Sequence, residues 1–453
     1  MLDNRAKRRT SSFVVSYVRE KKGVFMIRFN QTQRSFKAIC LLAVAAALSL
    51  APIADAQTIR VFSGGQSQRP DLMRKMFDTF EKANPGVKIE IETGGQTAEL
   101  QREYLGKVLN AKDAALDVFM IDITNPRLYQ SKGWLEPLNQ YLGRPEVVLG
   151  DHLPVYRTTN VVNGELYAMP GFADAMFVYY RKDLLAKYNL REPRTWEQLS
   201  NVVKKIKAGE KNNPTLQGLS IQGAPIEGTV CTFLLPVWSK GGDIADANGK
   251  FKLDNAMAQA GIEQWLKLID EGIVSSKASE IKTIDTVNDF KAGNVIFAIN
   301  WGFAWDRFQA DADSKVKGQV DVMPMPRVGE SSKSATCIGG WQWAVSAFSK
   351  NKTVAARLVK HMSTPEVAKF LAVEGSLLPV FASTYTDPAY LAKVPWASGA
   401  GVIATFARNR PVSARYGEVS DVIRTATSNM LARKVSPQQG VAELSAKLRP
   451  ILQ

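Results

Sequence analysis

The spacing of apolar residues after residue 56 changes between two periods along the chain. Alternation with period two predicts strands over residues 58–63, 87–93 and 117–121, and apolar positions every three to four residues predict helices over 71–84 and 98–111. Strand and helix thus alternate in the order βαβαβ, which is typical of a largely parallel, doubly wound sheet. We therefore expect an α/β fold.

From about residue 170 onward, helical periodicity is commoner than strand alternation. Thr195 has the residue type and the position of an N-cap for one of these helices. The length of 453 residues predicts two or more domains rather than one core. The pattern predicts strands over 176–180, 294–300 and 320–325 and helices over 194–208, 227–242, 256–270, 354–362, 365–373, around 410–416 and over 437–448.

Glycines and polar residues follow each of the first three predicted strands. Gly64-Gly65-Gln66, Gly95-Gln96 and Asp122 stand at these ends. Doubly wound sheets bind ligands beyond the carboxyl ends of their strands. Glycine permits close backbone approach, and Gln and Asp supply directed hydrogen bonds. Each position alone suits an ordinary turn, but three successive strand ends favour a binding site.

The segment 170–185 combines a Pro-Gly break with an aromatic ring, a carboxylate and a strand-like run. Phe172 and Asp174 are two residues apart, so their side chains lie on the same side of an extended chain. A ring can cover the apolar C–H face of a sugar while a carboxylate accepts hydrogen bonds from its hydroxyls. The alternative interpretation is a surface loop that enters a buried strand.

Two further segments place aromatic rings beside small residues. Trp301, Phe303 and Trp305 follow a buried-looking strand and form a candidate stacking platform; packing in the core is the alternative. Gly339-Gly340 can present backbone N–H groups to a ligand, and Trp341 supplies another ring. Together with the acidic, amide and arginine residues, these groups suit a neutral, polyhydroxylated ligand.

Residues 26–56 have the features of a secretory signal peptide. A positively charged region precedes a 13-residue apolar run over 38–50, which is too short to span a membrane, and Ala54-Asp55-Ala56 forms an A-x-A cleavage site. Cys40 lies inside the apolar run, which is the wrong place for a lipid-anchored cysteine. We predict cleavage after Ala56 and release into the periplasm without a lipid anchor.

Residues 1–25 form an extension upstream of this signal, so that translation starts either at Met1 or at Met26. Residues 1–56 contribute +7 of the formal net charge of +15. The remaining charges are dispersed, and no basic run is interleaved with aromatic residues. Nucleic-acid binding therefore has little support.

After removal of the signal peptide two cysteines remain, Cys231 and Cys337. In an oxidising compartment they can form a disulfide, and the alternative is two buried thiols. The sequence leaves both possibilities open.

The chain is poor in the residues that most catalytic and metal sites require. His152 and His361 are its two histidines and stand far apart, so Ser-His-Asp, Cys-His and histidine-based zinc sites are hard to build. Neither a phosphate-binding glycine motif nor a calcium-loop spacing occurs, and no cofactor is expected. Asp122 and Asp174 can in principle form a glycosidase pair, but no motif indicates the raised carboxyl pKa that such catalysis requires. Binding without catalysis is therefore favoured.

Taken together, these residues resemble the extracellular solute-binding proteins of ABC sugar importers, in the family of the trehalose/maltose-binding proteins. The resemblance covers residues 57–453 and rests on motifs that keep their order and spacing. These motifs are the Gly-Gly after the first strand, Asp117-Val-Phe-Met-Ile-Asp122, Gly133-Trp134-Leu135-Glu136-Pro137-Leu138, Asp174 ahead of Tyr179-Tyr180-Arg181-Lys182-Asp183-Leu184-Leu185, Glu227-Gly-Thr-Val-Cys231, Asn300-Trp301, Gly339-Gly340-Trp341, and Arg410-Pro411 ahead of Tyr416.

The resemblance implies two α/β lobes, each a doubly wound sheet flanked by helices, which are joined by a multi-strand hinge and close around a sugar. We place crossings between the lobes near residues 170, 320 and 377. Lobe 1 is then expected over 57–169 plus 321–376, and lobe 2 over 170–320 plus 377–453.

Carried over residue by residue, the resemblance also implies which side chains meet the ligand. Arg102 and Gln66 are further candidates, and Phe172 and Phe303 stand where relatives often carry Tyr, so that a hydroxyl donor is lost at each position. The implied contacts are hydrogen bonds between ligand hydroxyls and Asp122, Asp174 and Arg410, stacking on Trp301 and Trp341, and backbone contacts from Gly339 and Gly340.

The expected function is that of the periplasmic substrate-binding component of an ABC sugar importer. We expect a monomer that binds a disaccharide or related sugar by lobe closure and delivers it to the transmembrane subunits of the permease. A polyol or a glycerol phosphodiester is the alternative ligand; the phosphodiester would need Arg or Lys side chains to converge, and Arg102 and Arg410 are the obvious ones. A secreted glycosidase that uses Asp122 and Asp174 is the remaining alternative.

Overall fold

The structure is a computed structural model that describes residues 57–246, 249–404 and 406–453. The predicted upstream extension and signal peptide, residues 1–56, lie outside the described residues. In the part of the chain that is described, no helix is both long and apolar enough to cross a bilayer.

The strands begin and end close to the limits that apolar alternation predicts in the first half of the chain. They are β1 (Gln57–Phe62), β2 (Val87–Glu92), β3 (Leu116–Asp122), β4 (Val161–Val162), β5 (Glu165–Leu166), β6 (Met169–Arg181), β7 (Gln217–Ser220), β8 (Val295–Trp301), β9 (Val320–Met323), β10 (Thr336–Val345) and β11 (Ala407–Arg408).

The helices mostly have one apolar face and one polar face. They are α1 (Pro70–Ala83), α2 (Ala98–Asn110), α3 (Pro126–Ser131), α4 (Asn139–Leu142), α5 (Pro145–Val148), α6 (Pro154–Thr159), α7 (Lys182–Lys187), α8 (Trp196–Gly209), α9 (Glu227–Ser239), α10 (Asn255–Asp270), α11 (Thr283–Lys291), α12 (Ala304–Gln309), α13 (Lys352–Met362), α14 (Pro365–Gly375), α15 (Pro388–Lys393), α16 (Trp396–Ala404), α17 (Tyr416–Leu431) and α18 (Pro437–Leu448). Thr195 caps α8 as predicted, because its side chain accepts a hydrogen bond from the backbone N–H of Gln198 at 3.2 Å.

A nine-stranded sheet has the order β2-β1-β3-β10-β6-β8-β7, with β9 beside β6 and β11 beside β10. β1 pairs in parallel with β2 and β3, as the βαβαβ pattern predicts. The middle of the sheet is antiparallel, because β10 runs opposite to β3 and β6, and β6 runs opposite to β8 and β9. The α/β fold is thus confirmed, whereas parallel pairing is less extensive than expected.

The predicted break at Pro170-Gly171 is wrong, because β6 runs through both residues without interruption. The pairing with β10 shifts by one residue at this point: Trp341 lies opposite Phe172, and Gln342 lies opposite Pro170. Gly171 is therefore the extra residue of a β-bulge, which accommodates the missing N–H of proline inside a paired strand. A Cβ atom on Gly171 would lie 3.0 Å from the backbone oxygen of Trp341, so this crowded position favours glycine.

The helix predicted around residues 410–416 is also wrong in its position, since α17 begins only at Tyr416. Pro411 disfavours the helical conformation at the residue before it, which is Arg410. The segment from Arg410 to Ser413 is irregular. The backbone of Arg410 consequently lies outside any helix. Its side chain lies in the interior of the protein, and the residue is 2% exposed.

The buried apolar side chains fall into clusters that follow the sheet. Two clusters at the β1–β3 end take their residues from 59–172 and 343–377. Another, at the β7–β8 end, takes its residues from 176–337 and 416–452. A further cluster contains side chains of β6, β8 and β9. Because β6 and β10 contribute to the clusters at both ends, these two strands connect the two ends of the molecule described here.

Cys231 on α9 and Cys337 on β10 form a disulfide, and both residues are fully buried. Of the two possibilities that the sequence leaves open, the structure shows the bridged one. The bond fixes the helix that begins at Glu227 to the strand that carries Gly339.

Candidate functional site

Three neighbouring strands bring together predicted site residues that are far apart in sequence. Asp122 is the last residue of β3 and lies opposite Trp341 on β10. Trp341 in turn lies opposite Phe172 on β6, and Gly339 lies opposite Asp174. The register of β3, β10 and β6 therefore gathers five of the predicted residues at one place in the sheet.

Arg410 reaches this place from the C-terminal part of the chain and binds two carboxylates. Its Nη2 donates to both carboxylate oxygens of Asp122, at 2.8 and 3.1 Å, and its Nη1 donates to Oε1 of Glu227 at 2.8 Å. The guanidinium group also lies 6.0 Å from the centre of the Trp301 ring. Burial alone would lower the pKa of Arg410, but Asp122 and Glu227 hold it above its ordinary value, so the side chain is charged.

Glu227, the first residue of α9, is the centre of a polar network that the site prediction missed. Its carboxylate accepts hydrogen bonds from Arg410, from Arg102 at 3.2 Å, from Ser420 at 2.7 Å and from the hydroxyl of Tyr416. Burial would raise the pKa of Glu227, but Arg410 and Arg102 lower it to about 2. The carboxylate therefore stays ionised although it is buried.

Glu99 and Arg102 come from α2 and both bind the start of α9. The backbone N–H of Glu227 donates to Oε2 of Glu99 at 3.0 Å, in addition to the ion pair between Glu227 and Arg102. Arg102 also lies over the ring of Tyr416, at 5.9 Å from its centre. Arg102 is thus part of the same network as Arg410, and its described partner is Glu227.

Asp174 lies beside this network, and its carboxylate is held by the backbone. Oδ1 accepts hydrogen bonds from the N–H groups of Gly302 at 2.7 Å and of Ala175 at 2.8 Å. Burial raises the pKa of Asp174 to about 7, while the two N–H groups lower it in part. Because both bonds use Oδ1, the second oxygen, Oδ2, is available to accept from a ligand hydroxyl.

Gly339 and Gly340 allow the strand β10 to pass close to aromatic rings. A Cβ atom on Gly339 would lie 2.8 Å from a carbon of the Trp301 ring, so the ring covers this part of the backbone. Gly340 has φ +117°, and a Cβ there would lie 2.6 Å from the hydroxyl of Tyr156. That hydroxyl donates to the carbonyl of Gly339 at 2.6 Å and accepts from the N–H of Asp174 at 3.2 Å. Tyr156, which the prediction missed, therefore positions both strands.

The remaining predicted residues lie at the edge of this group or inside the core. Phe172 is 2% exposed and packs in an apolar cluster with the half-buried rings of Phe303 and Trp341. Gln66 is exposed, and among the described contacts only its carbonyl is engaged, by the backbone N–H of Arg69 at 3.2 Å and by Arg307 at 3.5 Å. The structure thus brings Asp122, Asp174 and their neighbours together but leaves Gln66 apart from them.

This arrangement presents hydrogen-bonding groups and ring faces. Within the described residues, no group of three His, Cys, Asp or Glu side chains is placed to hold a metal ion. Asp122 is held by Arg410 and by both the N–H and the hydroxyl of Thr124, at 3.0 and 2.8 Å. Carboxylate oxygens, guanidinium N–H groups and an indole face side by side are suited to a polyhydroxylated ligand.

Comparison with known proteins gives consistent matches over most of the chain. The family model of the bacterial extracellular solute-binding proteins matches residues 64–369. A probable ABC transporter-binding protein of Deinococcus radiodurans is 33% identical, over 92% of this chain and 98% of the relative. A mannitol-binding protein of Pseudomonas aeruginosa is 27% identical, over 79% of this chain and 81% of the relative. The solved structure of maltose-bound MalE3 of T. maritima has a TM-score of 0.81 and 30% identity, over 88% of this chain and 100% of that one.

Proposed function

The chain belongs to the family of bacterial extracellular solute-binding proteins, and we propose that it is the periplasmic substrate-binding component of an ABC sugar importer. Its ligand is a disaccharide or related sugar, which it binds between two lobes and delivers to the transmembrane subunits of the permease. The two-lobe fold is that of the structural relative with bound maltose. A signal peptide cleaved after Ala56 and the absence of a lipid anchor complete the proposal for its location.

We propose the lobe limits that the sequence suggests, with lobe 1 over 57–169 plus 321–376 and lobe 2 over 170–320 plus 377–453. The separate apolar clusters at the two ends of the sheet support this division. β6 and β10, which contribute to both, are then hinge strands. With these limits Asp122 belongs to lobe 1 and Arg410 to lobe 2, so that their ion pair crosses the cleft.

The observation that carries the proposal is the convergence of Asp122, Asp174, Trp301 and Arg410 at the middle of the sheet. In the proposed complex a sugar ring stacks on Trp301, Oδ2 of Asp174 accepts from one hydroxyl, and Asp122 and Arg410 bind others. Closure of the lobes excludes water and strengthens these contacts, so that ligand shifts the protein towards its closed form.

A polyol is the second candidate ligand, because one relative is the mannitol-binding protein of Pseudomonas aeruginosa. A linear polyol uses the same carboxylate and guanidinium groups as a sugar but has no ring face for Trp301. Catalysis by Asp122 and Asp174 is less well supported, since the family consists of binding proteins and Asp122 is engaged by Arg410.

Thermal unfolding of the protein, exported from the full-length gene and purified, tests the proposal against a panel of maltose, trehalose, sucrose, mannitol and ribitol. A ligand present at 100 times its dissociation constant stabilises the folded state by about 2.7 kcal/mol, so a binding sugar raises the melting temperature. We expect at least one member of the panel to do so without being converted to products. Equal melting temperatures for the whole panel, or turnover of a disaccharide, would contradict the proposal.

A further inference from the structure

Both arginines of the site are already paired with carboxylates inside the protein. Arg102 binds Glu227, and Arg410 lies between Glu227 and Asp122, with its side chain 1% exposed. Two guanidinium groups thus face two carboxylates, and Asp174 and Glu99 add further acidic side chains nearby. The buried polar cluster has no excess of positive charge.

An anionic ligand is therefore at a disadvantage in this site. A phosphate or carboxylate group binds tightly where it meets charged N–H donors that are free to turn towards it. Here the donors of Arg410 Nη1 and Nη2 are directed at Glu227 and Asp122. An anion would have to replace one of these carboxylates, or remain buried beside them with its charge uncompensated, which is costly.

A donor of Arg410 has no partner among the described residues, and it suits a neutral oxygen. Nε of Arg410 is buried and makes no hydrogen bond in the described part of the chain. A single N–H can be satisfied by a hydroxyl or ring oxygen, whereas a phosphate would need several such donors. The geometry at Arg410 therefore matches an uncharged ligand.

From these observations we infer that Glu227 is a specificity-determining residue, which restricts the site to uncharged ligands by neutralising Arg102 and Arg410. Glu227 acts through the two arginines and is a positioning residue rather than a ligand contact. This inference rests on the proposed function and narrows it, because it removes the glycerol phosphodiester from the candidate ligands. Sugar phosphates and sugar acids are excluded for the same reason.

Paired titrations of the purified protein test this inference. The anionic probes are glucose 1-phosphate, glucuronic acid, glycerophosphoglycerol and inorganic phosphate, and the neutral probe is the stabilising sugar of the panel. For the wild type we expect each charged probe to bind at least about 100-fold more weakly than the neutral sugar. Glu227→Gln keeps the shape of the side chain but removes its charge. For this variant we expect the ratio of the dissociation constants, charged probe over neutral sugar, to fall at least tenfold. We also expect its binding of anions to weaken as salt is added. Glu418→Gln is the matched control, because Glu418 is an exposed partner of Arg415, and it should keep the wild-type ratio.

The wild-type titration and the variant titration each test the inference independently. If the wild type binds a charged probe as tightly as the neutral sugar, the inference is overturned while a role in import stands, and this arm does not depend on the folding of any variant. If folded Glu227→Gln keeps the wild-type ratio, Glu227 does not set the selectivity and the inference fails. Binding of neither class would overturn the inference and the proposed function together.

Discussion

The carboxyl group of Asp174 is buried, and the two backbone N–H groups that reach it bind the same oxygen atom. Burial disfavours the charged form while the hydrogen bonds favour it, and the balance raises the pKa to about 7. Near neutral pH this one side chain therefore changes between a hydroxyl donor and a carboxylate acceptor. Because Oδ1 is held by the backbone, Oδ2 is the atom whose hydrogen bond to a ligand depends on the protonation state.

Stability and its dependence on pH should reflect this titration. Because the folded pKa of Asp174 is raised above that of the unfolded chain, its contribution to stability is full below about pH 4 and is lost as pH rises through about 7. Asp174→Asn lacks this loss, so we expect its melting temperature to increase relative to that of the wild type between pH 4 and 8. The measurement is thermal unfolding of both proteins across this range. A constant difference between them would show that Asp174 does not titrate as described.

The sequence identifies residues of the site better than their partners. Asp122 and Trp301 could be predicted as candidates because each stands at the end of a strand whose apolar pattern is clear, and strand ends are where such folds bind ligands. Glu227 was present in a recognised motif, but its role depends on arginines more than one hundred residues away on either side. Apolar periodicity indicates which face of an element is buried. It contains no information on which distant charged side chains will pair with a residue of that element.

Among the elements, amphipathic helices were predicted best, since an apolar face is visible in the sequence alone. The limits of α1, α2 and α18 differ from the prediction by no more than one residue. No strand was predicted over β10, whose two successive glycines weaken its strand pattern. β10 is nevertheless a strand because β3 and β6 pair with it on both sides, and this tertiary pairing overrides local preference.

The disulfide joins two elements that carry residues of the site, so its removal should loosen the packing of both. Cys231 lies one turn after Glu227 on α9, and Cys337 lies two residues before Gly339 on β10. We expect the double variant Cys231→Ser, Cys337→Ser to lose about 2–4 kcal/mol of unfolding free energy and to bind ligand more weakly.

Urea denaturation and ligand titration check this expectation, and the reduced wild type is the matched control, since it lacks the same bond without a change of sequence. Both should show the same loss of stability. If the double variant and the reduced protein are as stable as the oxidised wild type, the disulfide does not brace these elements.

At the scale of the whole molecule, ion pairs connect segments that the proposed limits assign to different lobes. Arg102 binds Glu227 on one side, and Arg69 binds Asp306 at 2.8 Å on another. Both side chains of the second pair are less than one-fifth exposed. These pairs hold the described conformation together beside the ligand residues, and in the proposed mechanism they form when the lobes close. Ligand and ion pairs then favour the same closed form.

In the proposed complex a sugar binds at the middle of the sheet, against Trp301 and between Asp122, Asp174 and Arg410. Isothermal titration calorimetry of the wild type, Trp301→Ala and Trp305→Phe with the stabilising sugar tests it most directly. Trp305 is the control, because it lies four residues further on and stacks on Trp396 at 4.9 Å. We predict one site per chain, a loss of about 1–3 kcal/mol in binding free energy for Trp301→Ala, and wild-type affinity for Trp305→Phe. Wild-type affinity for folded Trp301→Ala, or no heat of binding for any protein, would contradict the account.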